Sequence, residues 1–127
     1  MRKIIGYFVA LTIITLTFIS CSPEEPTFDE GLLLGKWKST TKNEYYRYLS
    51  NYTGRMWNED EDVHETDEDV TKFNWSLEKS DLTHIYISFM TGEELVPKYY
   101  KVTELTSTSL KYKDDFGKTF SYKKVED

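Results

Sequence analysis

The chain is poor in residues that staple, break or recruit. It has 127 residues and one cysteine, so no disulfide can form within it, and its fold has to bury its own apolar surface unaided. Of three prolines, only Pro97 lies beyond residue 26, so most of the chain is uninterrupted. Beyond residue 20 no segment shows the long 3.6-residue period of a helix, which excludes parallel βαβ units. Positive charge is also scarce: 16 basic against 22 acidic residues leave a net charge of −6, which argues against a nucleic-acid partner. There is no Gly-x-Ser-x-Gly elbow and no Gly-rich phosphate loop. The two histidines, His64 and His84, have neither a cysteine nucleophile nor zinc-like spacing beside them and are expected on the surface. An enzyme is not expected, nor a cofactor.

What the chain does have begins at its N-terminus. Arg2 and Lys3 precede an apolar run from Ile4 to Ile19, followed by the small residue Ser20 and then Cys21. This is the layout of a secretory signal peptide. The 16-residue run is shorter than the ~20 residues a spanning helix needs. Phe18-Ile19-Ser20-Cys21 resembles the lipobox of bacterial lipoproteins. The resemblance implies removal of residues 1–20 and acylation of Cys21 (a diacylglyceryl group and a palmitate-like N-acyl chain), which together anchor a protein stably. Ser22, where aspartate would mark inner-membrane retention, implies the outer membrane, on its periplasmic face or at the cell surface. Residues 21–30 form the lipidated cysteine and tether, and residues 31–127 one small domain.

The domain reads as strands. Phe73, Trp75 and Leu77 alternate with polar neighbours at a period of two. After a turn at Glu78–Asp81, Ile85, Ile87 and Phe89 continue that inward face opposite His84, Tyr86 and Ser88. Val96, Tyr100 and Val102 follow, with Pro97 at an edge or bulge. Leu110 and Tyr112 then lead through a hairpin loop at Asp114–Gly117 to Phe120 and Tyr122. Upstream, Trp37, the pair Tyr46 and Tyr48, and either Met56 or Trp57 mark three more strands. Thr27 and Glu30 are spaced as a capping box for a short helical turn before Gly35. Eight antiparallel strands in series leave two exposed edges unless they close. The expected fold is therefore all-β: an eight-stranded up-and-down barrel preceded by a short N-terminal helical turn.

Gly35-Lys36-Trp37, placed just after that turn, resembles the Gly-x-Trp signature of lipocalins. Together with Thr53-Gly54, Phe73–Leu77 and the closing Leu110–Tyr122 hairpin, it makes residues 31–125 similar to the small lipocalin-like domains of bacterial lipoproteins. That family places an arginine over the tryptophan, where this closing strand has Lys123 and Lys124. The resemblance implies a barrel able to hold a small or amphiphilic ligand.

Three candidate sites follow. The barrel interior is expected to be lined by Trp37, Phe73, Trp75, Ile85, Ile87, Phe89, Tyr100, Tyr112, Phe120 and Tyr122, either as a polar-rimmed pocket or as a filled core. With a filled core, the protein is expected to act as an envelope interaction protein, an inhibitor or accessory subunit. The second candidate is the run Glu59–Val70, with eight acids and no lysine or arginine. Its Asp60, Asp62, Glu65, Asp67 and Asp69 offer hard oxygen ligands suited to calcium, although the glycine an EF-hand turn needs is missing. The other reading is a solvated, self-repelling loop; at a barrel mouth its field would disfavour anionic ligands. The third candidate, the two histidines, reduces to surface residues.

Overall fold

Eight strands pair in sequence order, and the last pairs with the first, closing a barrel. A computed structural model describes residues 25–126. The signal-peptide run, Cys21 and the first residues of the tether lie outside the described residues. A 3₁₀ turn at Glu30–Leu33 leads into β1 (Gly35–Ser39), β2 (Glu44–Tyr48) and β3 (Thr53–Asn58). A second short turn, Glu59–Glu61, opens the long acidic connection to β4 (Thr71–Glu78). Then come β5 (Asp81–Tyr86), β6 (Lys98–Leu105), β7 (Ser109–Lys113) and β8 (Thr119–Val125). All neighbours are antiparallel, and β1 meets β8 from Lys36↔Val125 to Ser39↔Tyr122. The architecture is the all-β up-and-down barrel that the alternation implies, and closure leaves no strand edge unpaired.

The two ends differ. Short connections at 49–52, 79–80 and 106–108 crowd one end, which the 3₁₀ turn seals by burying Leu33 completely. The opposite end carries the connections 40–43, 59–70, 87–97 and 114–118 and forms an open mouth. The turn is capped by Asp29, whose side chain accepts from the Gly31 N–H at 2.9 Å. The Thr27 capping box is thus replaced by a cap two residues later, next to the glycine.

Trp37 anchors the sealed end. It is fully buried, and its indole N–H donates to the Leu33 carbonyl at 2.8 Å. The Lys124 ammonium sits 4.5 Å from its ring centroid and donates to the Leu34 carbonyl. Gly35 makes room for this: its φ is +114°, and a Cβ there would lie 2.8 Å from the Lys124 side chain. The Gly-x-Trp spacing is therefore a packing requirement, in which the glycine admits the lysine that covers the tryptophan.

Higher in the barrel, Gly54 serves Phe73 in the same way. The two are register partners, and a Cβ on Gly54 would come within 2.4 Å of the Phe73 ring and 2.6 Å of the Arg47 carbonyl oxygen. The carbonyl cannot swing aside as a side chain could. Gly54→Ala is expected to cost about 1–3 kcal/mol as overpacking, measured by urea unfolding; an unchanged midpoint would show the strand shifts freely.

One stretch of the expected alternation is inverted. The two-residue turn Lys79-Ser80 pairs Glu78 with Asp81, Leu77 with Leu82, Trp75 with His84 and Phe73 with Tyr86. Cross-strand partners share a face, so Leu82, His84 and Tyr86 point inward with the Phe73 row. Ile85 and Ile87 are left half-buried outside that row, and Phe89 is 73% exposed. Val96 is also exposed, in the connection before β6. Pro97 precedes β6, whose register shifts further on, between Val102 and Glu104. On β3, Met56 faces in beside Gly54. Trp57 faces out and is buried there, stacked on Tyr45 at 5.4 Å with Lys36 above.

Candidate functional site

Aromatic side chains fill the sealed half and middle of the barrel. Phe73, Tyr48, Tyr112 and His84 are buried essentially completely. His84 is the hub: the rings of Tyr46, Tyr48, Phe73, Tyr86, Tyr100 and Tyr112 all lie within 4.9–6.1 Å of it. Its Nε2 shares a 2.7 Å hydrogen bond with the Tyr48 hydroxyl, while its Nδ1 has no partner among the described residues. The Tyr112 hydroxyl donates to Tyr122 at 2.9 Å. The histidine expected on the surface is thus at the centre of the core. Desolvation holds its imidazole down at about 3, and Lys98, its register partner, adds to the shift. Burial likewise raises Tyr46, Tyr48 and Tyr112 well above the ordinary phenol value.

Above this plug the barrel opens into a cup of about 870 Å³. Tyr46, Tyr86, Tyr100 and Phe120 form the floor, being the same rings that cover His84 and Tyr112 from the mouth side. Met56, Val70, Ile87 and Leu95 contribute apolar wall. Polar groups converge on it sparingly. Tyr46 and Tyr86 hydroxyls are 3.5 Å apart, and burial pushes the Tyr100 phenol up to about 12. Lys98 leans over the Tyr86 ring at 5.5 Å. Glu68 and Asp69 face the cup from one side, and Lys98, inward beside His84, balances them. The rim is apolar: Met90, Val96 and Phe116 are 82–97% exposed.

Most expected interior residues converge here or beneath. Trp37, Phe73, Trp75, Tyr112 and Tyr122 belong to the plug, and Tyr100 and Phe120 to the floor. Ile85 is on the outside of β5, whereas Ile87 and Phe89 reach the cup from the connection above it, as wall and rim rather than barrel interior. The sequence reading missed Tyr86 and Lys98 as cup residues; the register from the two-residue turn would have found Tyr86.

The acidic connection does not gather a cation site. Asp60 accepts from the Asn43 amide at 2.8 Å. Asp62 lies 3.6 Å from His64 Nε2. Asp67 accepts the His64 backbone N–H at 2.7 Å. Glu65 folds back onto the outer wall, 2.6 Å from Arg47 and 4.0 Å from Arg55. Asp69 faces the cup. Among the described residues no three metal-ligating side chains converge. Asp60, Asp62, Glu65 and Asp67 are each tied down by their own contacts within the connection or to the outer wall.

No helix among the described residues is long and apolar enough to cross a membrane. No protein-family model matches the chain, and no curated protein or solved structure shows significant similarity to it.

Proposed function

We propose that the protein is a lipid-anchored, non-enzymatic envelope barrel that holds a small or amphiphilic molecule in its mouth. The observation that carries this reading is the open cup of about 870 Å³ over a closed aromatic floor. Its size falls within the range of ligand pockets, and its lining is mostly apolar with a few polar groups, as such sites require. The filled barrel below stops a long chain from entering along the axis. The ligand is therefore short and broad, with an apolar body against Met56, Val70 and Leu95 and a hydrogen-bonding group near Tyr46, Tyr86 and Tyr100. Opposite charges on the cup wall suit a neutral or zwitterionic molecule.

Two further features support the lipoprotein reading. Lys124 over Trp37 takes the place of the arginine found in lipocalin-like domains. The described chain also enters at the sealed end, where Glu25 accepts from Ser80 and Lys101. An anchor at Cys21 thus leaves the mouth unobstructed. The exposed rim of Met90, Val96 and Phe116 favours a second reading, in which another protein sits on the mouth.

Native mass spectrometry of the protein extracted from its own membranes tests both. A small molecule retained by the parent chain is expected, and Met56→Arg, which puts a bulky cation into the cup, should lower its occupancy at least ~10-fold. A clean mass accompanied by a stoichiometric protein would favour the second reading and remove the first.

A further inference from the structure

The net charge of −6 conceals a face of the opposite sign. Strands β1, β7 and β8 lie side by side and carry six lysines and no aspartate or glutamate. Lys124 turns inward onto Trp37. Lys36, Lys38, Lys111, Lys113 and Lys123 project outward, interleaved with Ser109, Thr119 and Ser121. Lys38 stands directly opposite Lys123, and Lys101 on β6 directly opposite Lys113, while Glu104 on β6, opposite Lys111, accepts from the Ser109 hydroxyl and is the one β6 acid at this border. Like charges in such positions destabilise a strand pair, so the fold holds this face against its own repulsion. Lys101 is relieved by Asp81 and Glu25, whereas Lys38, Lys111, Lys113 and Lys123 form no ion pair among the described residues. Neighbouring charges about 5–7 Å apart lie inside the ~8 Å screening length and act as one field.

The start of the described chain says what this field meets. Glu25 lies 2.6 Å from Lys101 Nζ, at the border of the lysine face, and Cys21 is four residues before it. Four residues span at most ~14 Å. We propose that the β1–β8–β7 face rests on anionic phospholipid headgroups of the membrane that holds Cys21. This rests on the reading of Cys21 as the anchor. The lysines then supply the second, electrostatic half of a two-part attachment, each strengthening contact with an anionic surface about fivefold. They also fix which side of the barrel lies down.

The test uses the full-length protein from its own membranes, reconstituted into vesicles of phosphatidylcholine alone or of an equal mixture with phosphatidylglycerol. Each lysine is then scored for acylation by an amine reagent and peptide mass spectrometry. Lys111, Lys113 and Lys123 are expected to react about tenfold more slowly on the mixed vesicles, with Lys42 and Lys72 unchanged and the difference lost in high salt. A variant carrying Lys111→Gln, Lys113→Gln and Lys123→Gln should lose the protection of Lys38. Because it relieves repulsion, it should melt no lower than the parent. Equal rates on both vesicles would overturn the proposal, as would protection by soluble dextran sulfate without protection by the mixed vesicles. The intact mass separates the two readings. Acylated Cys21 with unprotected lysines removes the lysine face alone, whereas Cys21 without lipid removes the anchor and this proposal with it.

Discussion

Lowering the pH from 7 to 4 is expected to remove about 3 kcal/mol of folding stability through His84 alone. The imidazole is held at about 3 in the folded barrel, against about 6.5 for an exposed histidine. Between those values the unfolded chain binds a proton that the folded chain refuses. The stability contributed by neutral His84 is therefore complete above pH 6.5 and is lost as pH falls towards 3. No carboxylate is among the rings packed on His84; those are Tyr46, Tyr48, Phe73, Tyr86, Tyr100 and Tyr112, and Lys98 at the mouth opposes a second positive charge. Urea unfolding at pH 7 and pH 4 checks this, with His84→Leu as the comparison. The leucine removes the unpartnered Nδ1 and leaves the Tyr48 hydroxyl its interaction with Tyr112. The variant should lose about 3 kcal/mol less than the parent over the same interval. Equal losses would show that His84 is not the group responsible. A folded-state NMR signal of His84 that titrates near pH 6.5 would show the same thing directly.

Trp37→Ala is expected to cost about 3–5 kcal/mol, the usual range for emptying a fully buried aromatic site. Two contacts vanish with the ring: the hydrogen bond to the Leu33 carbonyl at the end of the 3₁₀ turn and the cover of Lys124. Lys124→Met keeps the stem and removes the charge, and should cost about 1–2 kcal/mol by losing the cation–π contact and the bond to the Leu34 carbonyl. The two losses are not independent. In a double-mutant cycle the pair should cost less than the sum of the singles by at least ~0.5 kcal/mol, read from chemical unfolding. Strict additivity would mean that the lysine acts on the carbonyl and not on the ring.

These two residues also show what was and was not legible in the sequence. Trp37 could be read because a tryptophan behind a glycine at a strand start has few places to go, and the barrel follows from alternation that no helix interrupts. His84 could not be read from alternation alone. The segment Leu82–Ile87 is apolar on both of its faces, and Ile85 and Ile87 outrank a histidine on any scale of greasiness. What decides the face is the length of the preceding turn: two residues, Lys79-Ser80, force Leu82 to share a side with Leu77. That information was present, in the turn and not in the strand. The cup was half legible. Tyr100 and Phe120 followed from their strands, and Lys98 shares the inward parity of Tyr100 and Val102 on β6, but the wall residues Val70 and Leu95 arrive from long connections whose paths no periodicity encodes. The acidic run showed its composition but not its contacts, because Arg47 and Arg55, which draw Glu65 aside, sit ten or more residues upstream.

The pairing of β1 with β8 has one more consequence. It brings the two termini of the domain to the same pole, opposite the cup. A reporter or second module fused after Val125 would therefore sit beside the tether and leave the binding end unshielded. A permuted chain opened within 59–70 and rejoined through its old ends would need only a short splice to keep every ladder.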